Sequence, residues 1–205
     1  MTGRFLYVQN AYGEPPPALT KVSGHTIHFY QQYDTERLDW STYDAVLLSM
    51  SADQVHLNEI SPKLQAYLNG GGTLLINGHV ARPFLPELSR YEPMEKRGLK
   101  ELVIHRENEH PLFQHISAES LTLRKGVAGF YGRGTNPPPT GALVIHSVGP
   151  DHVAVDWLYD RPEGGRIFVH SGVELWAVLM LEGPQGLPVI QGFFDWLSQT
   201  SKVAA

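Results

Sequence analysis

Cysteine is absent from the chain. That absence excludes a disulfide scaffold, a thiolate metal site and a cysteine nucleophile. Long apolar runs are missing as well: nothing approaches the ~20 apolar residues that a membrane-spanning helix needs. A basic surface is lacking too, because the formal net charge is -5. Nucleic acid and anionic membranes are therefore not expected as main partners. The chain opens Met1-Thr2-Gly3-Arg4 and enters an apolar strand too short for a signal-peptide core. A cytoplasmic protein is the expectation. There is no internal repeat and no low-complexity tract. With 42% hydrophobic and 18% charged residues over 205 positions, the composition suits one globular domain spanning 1–205.

The organising stretch runs from Tyr43 to His79. An apolar run, Ala45-Val46-Leu47-Leu48, ends in Ser49-Met50-Ser51. A helical segment follows and stops at Asn69-Gly70-Gly71-Gly72. A second apolar run, Thr73-Leu74-Leu75-Ile76, closes on Asn77-Gly78-His79. Strand, helix, strand is the minimal unit of a parallel sheet.

Around that unit, Arg4 to Asn10 reads as a first strand with a continuous apolar run. Pro15-Pro16-Pro17 keeps the next crossover extended, leaving only Ala18 to Ser23 for a short helix. His25 to Gln31 alternates and reads as an edge strand. In the helical segment Ser61 precedes Pro62, the pattern of an N-cap followed by proline in the first turn, and Gly70 supplies a left-handed stop. A short helix is expected within Pro83 to Pro93. Beyond Gly98 the rhythm changes. Leu99 to His105, Leu121 to Val127, Ala142 to Val148, Val153 to Tyr159 and Arg166 to His170 read as strands, several of them antiparallel. Gly186 to Gln199 reads as the last helix, with Val189, Ile190, Phe193, Phe194 and Leu197 at helical spacing.

The helix ending YLNGGG, the TLLINGH segment, HPLFQHI from His110 and GGRIFVHSG from Gly164, in that order, resemble a class I glutamine amidotransferase-like domain of the ThuA-like branch. The resemblance implies an α/β fold. It would be a flavodoxin-like three-layer sandwich with a mostly parallel central sheet and extra antiparallel strands in the C-terminal half. The family's enzymes hold a cysteine on the sharp turn after the fourth strand, assisted by a histidine and a glutamate after a late strand. Here His79 stands in the cysteine's place. An imidazole cannot replace a thiolate as an acyl acceptor, so glutamine hydrolysis is not expected. His170 matches the histidine. Glu174 lies four residues on, where the amidotransferases usually have the glutamate two residues on.

Ligands of open parallel sheets sit at the carboxyl ends of the strands. His79, His170 and Glu174 are thus the candidate catalytic residues. Asn10, Ser49, Ser51, Asn77, Gly78, Arg82 and Ser171 are the candidate ligand-binding ones, Arg82 as an anion partner at a helix N-terminus after His79. The plainer alternative is that these groups cap strand ends and satisfy loop backbone. His79 and His170 are expected to face one cleft. Ten histidines invite a metal, but none of them has the local spacing of a metal site, and neither a metal nor another cofactor is expected. Gly129-x-x-Gly132-x-Gly134 does not lie between a strand and a helix, so it reads as a loop with aromatic anchors rather than a dinucleotide fingerprint. The apolar run Trp176 to Leu181 suggests a homodimer face. The leading functional expectation is a small polar ligand, of carbohydrate type as the resemblance implies. The alternatives are a hydrolase with His79 or His170 as general base and a structural or oligomerisation module.

Overall fold

The computed structural model describes residues 2–11, 13–96, 98–180 and 186–200. The strands are β1 (Arg4–Gln9), β2 (Thr26–Gln31), β3 (Ala45–Leu48), β4 (Thr73–Asn77), β5 (Glu92–Pro93) and β6 (Ile104–Arg106). They continue with β7 (Leu123–Arg124), β8 (Val127–Ala128), β9 (Gly134–Thr135), β10 (Leu143–Val148), β11 (Val153–Asp160) and β12 (Arg166–His170). The α-helices are α1 (Gln54–Glu59), α2 (Ser61–Asn69), α3 (Ala118–Thr122), α4 (Leu175–Met180) and α5 (Gly186–Thr200).

An eight-stranded sheet runs in the order β2-β1-β3-β4-β12-β11-β10-β6. The first five strands are mutually parallel. The last three extend the sheet by antiparallel pairing. A parallel order of second, first, third, fourth and fifth strand is the flavodoxin-like winding. Its chain reverses direction across the sheet between β1 and β3.

Central strands read as unbroken apolar runs because both of their faces are covered. Phe5, Tyr7, Leu47, Leu75 and Phe168 pack on one side, beneath Trp176 of α4 and Phe193 of α5. Leu6, Val8, Val46, Leu74 and Val169 pack on the other, against Leu64 and Leu68 of α2 and the loop residues Phe84 and Leu85. Each fully buried side chain of this size contributes about 1.5–3 kcal/mol, so the two layers hold the sheet from both faces.

Several local expectations are corrected. Asp53 caps α1, accepting from the Val55 and His56 amides, and Ser61 lies inside α2, whose N-cap is Ile60. The left-handed residue after α2 is Gly71, not Gly70. The Pro83-to-Pro93 stretch forms no helix: Pro83 and Pro86 remove backbone donors, and Phe84, Leu85 and Leu88 are buried from turns. Leu99 to His105 contributes a short 3₁₀ turn before β6. Leu121 to Val127 divides between the end of α3 and a β7–β8 hairpin, because Lys125 and Gly126 both take positive φ, as a two-residue hairpin turn requires. The apolar run from Trp176 is α4, and Trp176, Val178 and Leu179 have no exposed surface. Those three side chains are taken up by the protein's own core. Leu181, the end of that run, lies outside the described residues.

Candidate functional site

The sequence-predicted residues divide among three places along the carboxyl ends of the strands. The first is the winding switch between β1 and β3. The Glu174 carboxylate sits there, accepting from the Met50 amide (2.8 Å), the Ser49 hydroxyl (3.1 Å) and the Tyr7 hydroxyl (3.2 Å). Ser51 lies 3.0 Å from Ser49, Oγ to Oγ, and accepts from the Asn10 amide. Burial pushes the Glu174 carboxyl up, opposed by the hydrogen bonds from Met50, Ser49 and Tyr7 and by His170. Asn10, Ser49, Ser51 and Glu174 are thus brought together, and the chain's own carboxylate takes the donors that a bound anion would use.

The second place is the turn after β4. Gly78 adopts φ +88°, and a Cβ there would fall 2.8 Å from the Cβ of Met50, so glycine is required. The turn's backbone is bound from both sides. Gln54 Oε1 accepts from the Ala81 (2.8 Å) and Arg82 (2.9 Å) amides, and Gln54 Nε2 donates to the His79 carbonyl (2.7 Å). Asn136 Oδ1 accepts from the Val80 amide (2.9 Å), and Asn136 Nδ2 donates to the Gly78 carbonyl (2.8 Å). The Gly78 amide donates to the His170 carbonyl. An oxyanion hole needs amides aimed at substrate, and here those of Gly78, Val80, Ala81 and Arg82 are already bound within the protein. No helix follows the turn, so Arg82 does not stand at a helix N-terminus.

His79 itself is exposed and stacks on Tyr91, centroids 3.6 Å apart and planes 12° apart. The pair lines a cavity of about 600 Å³ together with Arg133, Lys96, Met94 and Leu102. Partial burial lowers the His79 pKa below its ordinary value, and the neighbouring His170 lowers it further.

The third place is inside the sheet. His170 has no exposed surface and does not reach the His79 cavity, so the shared cleft does not form. Its Nδ1 lies 2.6 Å from Asp156 Oδ1. Oδ2 of the same carboxylate is 2.6 Å from His146 Nδ1 and accepts from the Tyr131 hydroxyl at 2.6 Å. The strand register explains the meeting. Asn77 pairs with His170, His170 with Asp156, Asp156 with His146 and His146 with Arg106, one polar row across five strands. Register shifts on both sides of His146 bring it opposite Asp156, a common use of β-bulges. Burial alone would raise the Asp156 pKa. The His170 charge and the hydrogen bonds from both imidazoles overrule it and hold the carboxyl well below the usual range.

Asp156, and not Glu174, is therefore the carboxylate that orients His170. Ser171 and Asn77 are structural neighbours of this row. Ser171 Oγ accepts from the Asn136 amide, while Asn77 bridges the Leu48 carbonyl and the Leu175 amide. Tyr131 is the aromatic anchor expected in the glycine-rich loop, but it points inward to Asp156 rather than over a pocket. Sequence reasoning missed Asp156, Asn136, Gln54, Tyr91 and Arg133. A signal existed for Asp156: a lone acid inside the apolar run Val153-Ala154-Val155-Asp156-Trp157-Leu158. A buried acid needs partners.

No protein-family model matches the chain, and no curated protein sequence matches it. Solved structures do. A structure described as the mmIFT52 N-terminal domain superposes with a TM-score of 0.54 at 12% identity, covering 95% of this chain and 97% of that one. A ThuA-like protein from Bacteroides uniformis gives a TM-score of 0.49 at 12% identity, covering 96% of this chain and 91% of that one. At such identity the likeness is one of fold. Among the described residues, no helix is long and apolar enough to cross a membrane.

Proposed function

We propose that this chain is an amidotransferase-like domain of the ThuA-like branch that has no glutaminase activity and binds a small polar ligand of carbohydrate type in the His79 cavity. The observation that carries the reading is the His79–Tyr91 stack in the wall of a cavity of about 600 Å³, with Arg133 and Lys96 beside it. Sugars offer C–H faces to aromatic rings and hydroxyl or acidic groups to cations, and cavities of this size suit such ligands. The lack of a cysteine and the occupied amides of the turn after β4 support the absence of glutaminase chemistry. A hydrolase using His79 is the second reading. It is supported by an exposed imidazole whose lowered pKa leaves it neutral and able to take a proton at pH 7.

The test is titration of isotope-labelled protein with glucuronate, glucose and glucose 6-phosphate, followed by NMR. We expect saturable shifts at His79, Tyr91 and Arg133 with at least one acidic sugar, and a loss of affinity of about tenfold or more in Arg133→Ala. The absence of any saturable shift across the three would reject the ligand reading. Hydrolysis of p-nitrophenyl esters or glycosides, abolished by His79→Ala, would favour the second reading over the first.

A further inference from the structure

The His79 cavity has a charge character beside its aromatic wall. The described residues that line it include two cations, Arg133 and Lys96, and no carboxylate. Arg133 is held in place, because its Nε donates to the Gly129 carbonyl at 2.9 Å. That bond leaves both terminal nitrogens of the guanidinium for an anion, which such a group grips through charge-assisted hydrogen bonds. A sugar hydroxyl also donates, yet the only side-chain oxygen or nitrogen acceptors among these lining residues are those of His79 and Tyr91. Hydroxyl groups alone are therefore a poor match for this wall.

The remaining described lining is apolar: Pro93, Met94 and Leu102. Leu102 ends a 3₁₀ turn, Lys100–Leu102, whose N-cap is Leu99. Side chains three residues apart in such a turn eclipse one another, so Leu99 continues the line of Leu102. Leu99 is 79% exposed. Leu102 also lies close to the Gly129 backbone, where a Cβ would fall 3.1 Å from Leu102 Cδ1 and 3.1 Å from Arg133 Nε. Apolar surface left open beside polar groups is a mark of ligand-binding grooves.

We propose that the ligand of the His79 cavity is amphiphilic: an anionic sugar that carries an apolar aglycone. Arg133 and Lys96 hold the anionic group, the sugar ring lies against the His79–Tyr91 wall, and the aglycone covers Met94 and Leu102 and points toward Leu99. This rests on the sugar-type reading of the cavity and narrows it. Charge complementarity selects the anion. The run of apolar side chains from Met94 through Leu102 to Leu99 selects the aglycone.

The probes are phenyl 1-thio-β-D-glucuronide, methyl 1-thio-β-D-glucuronide and phenyl 1-thio-β-D-glucoside, titrated calorimetrically into the full chain. The thioglycosidic bond resists hydrolysis, so binding is read without turnover. The phenyl glucuronide is expected to bind most tightly, and loss of either its phenyl group or its charge should weaken binding about tenfold or more. Arg133→Ala should erase the advantage of the glucuronide over the glucoside. Leu102→Ala should erase most of the advantage of phenyl over methyl. Nuclear Overhauser contacts from the phenyl protons to the Leu102 and Met94 methyl groups of the parent protein serve if Leu102→Ala fails to fold. Equal affinity for the phenyl and methyl glucuronides overturns the aglycone and leaves the sugar-type reading standing. Equal affinity for the glucuronide and the glucoside overturns the anion. Binding of none of the three removes the sugar-type reading itself, and this inference with it.

Discussion

His79 follows β4 and His170 ends β12, strands that lie side by side, yet one imidazole is exposed and the other has no accessible surface. The difference arises in the residues that come next. After β4, Gly78 turns the chain outward through a left-handed backbone, and His79 comes to rest against Tyr91 over open space. After β12, Ser171 and Gly172 fold in beneath the loop carrying Tyr131, and Asp156 on the adjacent antiparallel strand takes up the imidazole of His170. A histidine at the carboxyl end of a parallel strand is thus not by itself a site residue. Its neighbour in the next strand decides. Where β4 meets β3 and β12, no carboxylate stands among the register partners. Where β12 meets β11 the neighbour is a carboxylate, and the polar row closes on itself inside the sheet.

The sharpest way to break this contrast is to remove the carboxylate. Asp156→Asn keeps the shape but leaves two imidazoles and the Tyr131 hydroxyl without their shared anion. Breaking a buried ionic network costs about 3–5 kcal/mol. Denaturant unfolding of the variant should therefore show one of the largest losses produced by any single polar substitution. A loss below about 1 kcal/mol would mean that His170 and Tyr131 are not held by Asp156 and that the β12 end is less closed than its geometry implies.

A smaller effect should come from the roof of the same region. Gly172 permits close packing: a Cβ there would fall 1.8 Å from the Tyr131 carbonyl oxygen and 2.6 Å from His170 Nε2. Gly172→Ala must push the loop or the imidazole aside. Overpacking of this kind costs about 1–3 kcal/mol. The tyrosine and histidine resonances should move together in the NMR spectrum. If Tyr131 stayed in place while stability fell, the strain would lie in the backbone of residues 171–173 instead.

The parallel half was legible because its signals are local. Thr73–Asn77 and Arg166–His170 are strands at the bounds that their apolar runs and glycine entries suggest, and α5 follows from its helical spacing. The candidate ligand residues at the ends of β1 and β3 also come together as the strand-end rule implies. The rest depended on pairing that no local pattern encodes. Asp156 meets His146 only because of register shifts in β10, and His170 only because β11 runs antiparallel to β12. Tyr91 reaches His79 from a stretch that reads as a helix but is opened by Pro83 and Pro86. The same loss of helix removes the N-terminus that was to make Arg82 an anion site.

The smallest effect is expected at His79, and its direction sharpens the contrast most. Its pKa is lowered from 6.5, first by partial burial against Tyr91 and then by the charge of His170. A histidine with a folded pKa below its unfolded one binds fewer protons when folded. Its contribution to stability is therefore complete above about pH 6.5 and is lost as pH falls toward the lower folded value. Because the ring is exposed, the loss is small, and His79→Ala should change stability at pH 7 by no more than about 0.5 kcal/mol. The stability profile of that variant should be flatter just below pH 6.5 than that of the parent. An NMR titration of the His79 ring should give a midpoint below the ordinary histidine value, and Tyr91→Ala should raise it by restoring water to the stacked face. A midpoint at or above 6.5 in the parent protein would show that Tyr91 does not shield the ring. The stacked wall that supports the ligand reading would then be lost, while the sealed Asp156 row would be untouched.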